Sequence, residues 1–285
     1  MSTDNNHISL VIFTCEGREH LLYNTVNSFN KASNYSFNKT ILAIDGTISN
    51  EVIEFVNPDI VVQNPKRKGY VNNIIQALSQ INTEYFFWLE DDWTFNEPIH
   101  LDTLVGELKQ HDTWTQVVYS KFGPLTEDLK SEPLSINLYR SNNDFSANPC
   151  LCRTSLIKTA FAELVEAPKG DKLGEDGFEN FVGNYFKKAG LICAIHDPVE
   201  HSVITHSGYL ESTPRNWHMT NSLNQKTKKH LLTIPAPPLW RKLLMALKLL
   251  IILPQLMLKQ LINNEAYELC FRILASIKYI KKGDR

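Results

Sequence analysis

The chain has 285 residues, 43% hydrophobic and 21% charged, enough to bury one sizeable core with an appendage. Its formal net charge is −2, but residues 215–285 hold thirteen Lys/Arg against three Asp/Glu (+10), leaving −12 on residues 1–214. That acidic body argues against a nucleic-acid partner, and five scattered cysteines, with only Cys150 and Cys152 spaced C-x-C, argue against a zinc site and fit a reducing, cytoplasmic setting.

The polar N-terminus carries no basic region followed by an apolar run, so a secretory signal is not expected. Residues 8–14, Ile-Ser-Leu-Val-Ile-Phe-Thr, form the apolar, β-branched run of a strand buried on both faces. Residues 18–32 carry Leu21, Leu22, Val26 and Phe29 at roughly helical spacing. Residues 39–45 make a second buried strand closed by Asp45-Gly46, and residues 60–63 a short third. Apolar side chains at 70, 71, 74, 75, 78 and 81 mark an amphipathic helix, and a strand follows at 84–89. This alternation argues for a parallel sheet covered by helices, with ligands at the carboxyl ends of its strands. Cys15-Glu16, Asp45-Gly46 and Glu90-Asp91-Asp92 fall at such ends and should line one crevice. Further on, residues 117–119, 136–140, 145–152 and 191–195 read as strands. Residues 155–165 and 179–189 read as helices, the second opened by Gly174-Glu175-Asp176-Gly177.

The tetrad Glu90-Asp91-Asp92-Trp93 directly follows the apolar run Tyr85-Phe86-Phe87-Trp88-Leu89. Strand alternation would set Glu90 and Asp92 on one face and Asp91 on the other. Two oxygen ligands on one face suit Mg²⁺ or Mn²⁺ that also holds a diphosphate. Taken alone, the same three acids would equally make a solvated turn before a helix.

After Pro235-Ala236-Pro237-Pro238 the character changes. Residues 239–262 are rich in Leu, Ile and Met, and Arg241, Lys248, Gln255 and Lys259 form one narrow polar stripe on a helix. Lys248 cuts the longest apolar stretch to residues 249–253, far short of the roughly 20 residues that span a bilayer. A helix lying in the membrane interface fits, as does one packed on the protein's own core or on a dimer partner. A second helix, residues 266–280, ends among Lys278, Lys281, Lys282 and Arg285, suited to anionic headgroups.

In order and spacing these signals resemble a family 2 type glycosyltransferase with the GT-A fold, over roughly residues 8–210. The opening strand, the strand ending Ile44-Asp45-Gly46 and Asn64 before a Gly69/Asn73 helix start carry the resemblance. So do Leu89-Glu90-Asp91-Asp92-Trp93 in place of the Asp-x-Asp motif and Gly174-Glu175-Asp176-Gly177 in place of the Glu-Asp motif. It implies an α/β, mostly parallel central sheet flanked by helices over residues 1–233, and the amphipathic basic helical tail at 234–285 is read from its own residues, outside the resemblance. It implies a metal-dependent, inverting transfer of a single sugar from a nucleotide-diphosphate donor, a UDP-sugar first, to a glycan or lipid-linked acceptor. The expected setting is the inner face of the plasma membrane, with peripheral contact through the tail and a surface-glycan precursor as acceptor. Asp92, Glu90 and His206 would hold Mg²⁺ or Mn²⁺. Thr14, Glu16, Asp45, Arg67, Lys68, Asn73, Glu90 and Asp91 would meet the donor, although Arg67-Lys68 also reads as a solvated basic turn. Asp176 would be the general base, with Glu175 as second choice. Trp93 would stack on a sugar or belong to the core. The chain departs from the pattern in having Glu90 as first acid and in lacking an Ala-Arg-Asn run between Asn64 and Asn73. Two alternatives stand beside this reading. One is a non-catalytic nucleotide-sugar-binding scaffold. The other is a nucleotidyltransferase, whose Gly-rich basic loop Thr14-Cys15-Glu16-Gly17-Arg18 matches poorly.

Overall fold

The structure, a computed structural model, describes residues 8–166 and 172–208 and the helical positions Leu243, Leu247 and Leu250, with backbone alone for residues 172–176. The first half alternates as β1 (Ile8–Cys15), α1 (Glu19–Ala32), β2 (Thr40–Asp45), α2 (Asn50–Val56), β3 (Ile60–Asn64), α3 (Tyr70–Gln80) and β4 (Tyr85–Glu90). Then come β5 (Trp93–Phe95), α4 (Leu101–Gln110), β6 (Trp114–Tyr119), β7 (Pro133–Ser135), β8 (Leu138–Arg140) and β9 (Cys150–Arg153). The described region closes with α5 (Thr154–Glu166), α6 (Lys172–Lys188), β10 (Ile192–His196) and β11 (Ile204–His206).

A nine-stranded sheet runs β3-β2-β1-β4-β9-β6-β10-β8-β7, and β11 pairs with β5 in a small second sheet. β1 is parallel to both β2 and β4, β2 to β3, and β6 to β10. β9 lies antiparallel between β4 and β6. The carboxyl ends of β1, β2, β3, β4, β6 and β10 therefore share one edge, which β9 enters by its amino end.

Period-2 alternation divides the core between the two sheet faces. Ile8, Leu10 and Ile12 of β1, with Tyr85, Phe87 and Leu89 of β4, join one cluster with Leu22, Val26 and Phe29 of α1 and Leu104 and Leu108 of α4. Val11 and Phe13, with Phe86 and Trp88, join the other with Ile74 and Ala77 of α3, Ile157 and Phe161 of α5, and Phe178 and Val182 of α6. Both faces being covered explains why β1 and β4 read as unbroken apolar runs.

Two helices lie outside the elements expected above. α2 has seven residues and buries only Val52, too little for a periodic signal. α4 buries Leu101, Leu104, Val105 and Leu108, a stripe as regular as that of α3. The strand expected over 145–152 begins only at Cys150, because the Gln116 side chain binds Ser146 through its backbone N–H and carbonyl. In α6 the helix bends at Gly177, whose φ of 71° suits a residue without Cβ.

Candidate active site

β1 sets the geometry, because its neighbours end in acids. In register, Cys15 faces Asp45 of β2, Asp45 faces Asn64 of β3, and Phe13 faces Glu90 of β4. Adjacent strands lie about 4.8 Å apart, so the ends of β2 and β4 flank that of β1 across about 10 Å.

At the end of β4 the side chains part company. Glu90 continues the Phe86–Trp88 face and accepts a hydrogen bond from the Tyr70 hydroxyl of α3. Asp91 continues the opposite face and meets the turn before α1. Its Oδ2 accepts from the Thr14 hydroxyl at 2.6 Å, and its Oδ1 accepts from Arg18 Nε at 2.8 Å. Alternation would return Asp92 to the Glu90 face, but the strand ends at Glu90 and Asp91-Asp92 form a turn. Asp92 Oδ2 consequently lies 2.6 Å from Arg18 Nη2 and 3.0 Å from His206 Nε2. The expected pairing of Glu90 with Asp92 on one face is thus corrected: Asp91 and Asp92 share Arg18, and Glu90 stands with Tyr70. Alternation holds only while the ladder lasts.

The electrostatics follow the contacts. Burial, opposed by Arg18, pushes Asp91 up to about 6. Asp92 is buried too, yet His206 and then Arg18 hold it below the ordinary carboxylate value. Burial and then Asp92 push Glu90 well above that value. Burial also raises Glu179 of α6, which accepts from the Ala147 N–H at 2.8 Å. A backbone clasp fixes Asp92 further. Its carbonyl accepts from the N–H groups of Ser207 and Gly208 and from the Ser207 hydroxyl, while His206 stacks on Trp93 at 4.5 Å.

The other expected donor residues stand at the same edge. Both Asp45 oxygens accept from backbone N–H groups, Lys68 at 2.7 Å and Gly69 at 3.0 Å, so Asp45 anchors the start of α3. Arg67 reaches over the edge to Cys15 Sγ at 3.3 Å, with its Nε 4.0 Å from Asp45. Glu16 accepts from the Thr47 N–H. Asn73 is fully buried and donates to the Ala43 carbonyl, tying α3 to β2. Trp93 is 1% exposed and belongs to the core rather than to a sugar platform.

Residues 9–162 match the sequence pattern of glycosyl transferase family 2, more than half of the chain. The chain belongs to that family. Two solved structures carry the same fold. "GalNAc-T7 with UDP, GalNAc and Mn2+" is 16% identical at a TM-score of 0.52, covering 77% of this chain and 48% of that one. S. aureus TarS is 14% identical at a TM-score of 0.50, covering 79% and 42% respectively. The family 2 chain thus spans about half the length of the structures it matches. No curated protein matches it.

For this glycosyl transferase family 2 chain, the expected metal trio Asp92, Glu90 and His206 comes together only in part. Among the described residues no group of three or more His, Cys, Asp or Glu converges on one point. Two of the trio do fit a divalent cation. Among the described residues Asp92 Oδ1 is buried without a protein partner, and the His206 imidazole stands at the same carboxylate. Carboxylate oxygen and imidazole nitrogen together suit Mn²⁺. The side chains of Glu175 and Asp176 lie outside the described residues; their backbone sits in the first turns of α6, before the bend. Arg18, Tyr70, Glu179, Ser207 and Gly208 are site residues absent from the expectation. Only Arg18 had a local signal, a cation directly after an acid-facing strand. The others arrive from distant stretches of chain.

Proposed function

We propose that this protein is a metal-dependent, inverting glycosyltransferase that moves one sugar from a nucleotide-diphosphate donor, a UDP-sugar first, to a glycan or lipid-linked acceptor. The observation carrying this reading is the seating of Asp91, Asp92 and His206 at the end of β4, on the edge that also presents Asp45, Glu16 and Arg67. The GalNAc-T7 structure, which shares the fold, contains UDP, a sugar and Mn²⁺.

Asp92 and His206 would hold the cation, whose chemistry is to offset charge on a departing diphosphate. Arg67 and Lys68, at the start of α3, would face the donor's phosphates. Asp45 stiffens that turn from below. Asp176, with Glu175 as second choice, would take the proton of the acceptor hydroxyl as it attacks from the opposite side of the anomeric carbon. The reading also includes the tail as a peripheral anchor at the inner face of the plasma membrane. Leu243, Leu247 and Leu250, spaced to fall on one helical face, are 58%, 58% and 73% exposed, as an interfacial helix requires.

Isothermal titration of UDP with and without Mn²⁺ tests the donor side. Metal-dependent binding that Asp92→Ala abolishes is expected. Asp176→Ala should keep that binding and lose at least about a hundredfold in turnover. Metal-dependent UDP binding with no transfer to any acceptor by the unaltered protein would favour a binding scaffold. Unimpaired turnover of Asp176→Ala removes that residue from the mechanism.

A further inference from the structure

We infer that Arg18 is a positioning residue that competes with the divalent cation for Asp92, so that cation binding depends on the nucleotide. The inference rests on the proposed reading of this strand-end edge as a nucleotide-sugar and cation site.

The two oxygens of Asp92 have unlike surroundings. Oδ1 is buried and has no protein partner among the described residues, whereas Oδ2 carries both Arg18 Nη2 and His206 Nε2. The guanidinium is not a loose surface cation. Its side chain is 20% exposed, and it grips Asp91 Oδ1 through Nε and Nη2, each at 2.8 Å. Asp91 is in turn held by Thr14, and the Arg18 carbonyl receives the N–H groups of Leu21 and Leu22 as α1 begins. Arg18 is therefore anchored at backbone and side chain alike, with its fork spanning both carboxylates.

Two carboxylates alone would present a charge of −2; with the guanidinium seated the trio carries −1. A dication arriving at Asp92 meets a positive charge already bonded to that carboxylate. At a separation of about 4 Å and the effective dielectric of a protein surface, that repulsion lowers affinity by at least about tenfold. A diphosphate reverses the balance. It supplies negative charge, and the planar fork of arginine matches phosphate oxygens as well as it matches carboxylates. Cation and nucleotide are then coupled, each raising the affinity of the other by the same factor.

The experiment follows free Mn²⁺ by electron paramagnetic resonance, titrating the unaltered protein and Arg18→Gln with and without UDP. Without nucleotide, Arg18→Gln should bind Mn²⁺ at least about tenfold tighter than the unaltered protein. The enhancement by UDP should shrink by the same factor. Arg18→Lys serves if the glutamine variant does not fold. A single ammonium cannot span both carboxylates, so its nucleotide-free affinity should rise severalfold. Nucleotide-free affinity that is unchanged or weaker in the folded variant overturns the inference, even where the unaltered protein binds Mn²⁺ with UDP. If no form binds Mn²⁺ with UDP present, the cation site itself is wrong and the inference falls with it.

Discussion

Gly208 has no room for a side chain. A Cβ built there would lie 2.7 Å from Asp92 Oδ2 and 2.9 Å from Asp92 Cγ, distances that real contacts do not reach. The segment His206–Gly208 must close this tightly because its N–H groups bond the Asp92 carbonyl. Gly208→Ala should therefore destabilise the protein by about 1–3 kcal/mol, the usual result of overpacking, read as a lower Tm. An unchanged melting curve would mean that the clasp is not formed in solution. Asp197 offers a pH-dependent case. Burial alone would raise its carboxyl, yet Lys130 and the N–H groups of Leu125 and Val199 hold it below the ordinary 3.8. A depressed folded value adds stability above about pH 4 that is lost as pH falls through the folded value. Asp197→Asn should lower the urea midpoint at pH 7, and the gap to the unaltered protein should close towards pH 3. A gap that widens in acid contradicts this account.

At the scale of elements, α4 depends on one side chain from β9. Arg153 donates from Nη2 to the carbonyls of Leu108 and His111 and from Nε to that of Trp114. These are carbonyls at and just beyond the end of α4, where the negative end of the helix dipole favours a cation, and those of Leu108 and His111 also accept the N–H groups of His111 and Trp114. The guanidinium also lies 5.4 Å from the centre of the Tyr85 ring. Arg153→Met keeps most of the apolar stem and removes the cap. A loss of about 2–3 kcal/mol in chemical denaturation is expected, as for charged hydrogen bonds left unmade. A loss below about 0.5 kcal/mol would show that water and the N–H groups of His111 and Trp114 satisfy these carbonyls instead. The same contrast explains what could be read of the elements. β1, β2, α3 and β4 announce themselves because each repeats one local period. β5, β11 and the cap on α4 exist only through partners such as Ser28, which accepts from the Phe95 N–H.

For the whole molecule, charge is the long-range feature. The first 214 residues carry −12 and the remaining 71 carry +10. Among the described residues no helix is long and apolar enough to cross a bilayer. A basic segment with exposed leucines would instead join an anionic surface by charge and by a shallow apolar face. Liposomes containing anionic lipid should float the full chain but not one ending near Thr233, and added salt should weaken the association. Equal flotation of both chains would remove the membrane role.

Period and order along the chain were sufficient for the α/β class, the shared edge at the strand ends, and the acids presented there. Those features depend on backbone geometry that neighbouring residues dictate, so a single stretch contains the whole signal. Which carboxylate meets which partner was decided by the fold. Asp92 sits two residues past Glu90, where the ladder ends, and Arg18 and His206 reach it across 74 and 114 positions of chain. A cation and an imidazole brought from so far are placed by packing, and packing has no local period to read.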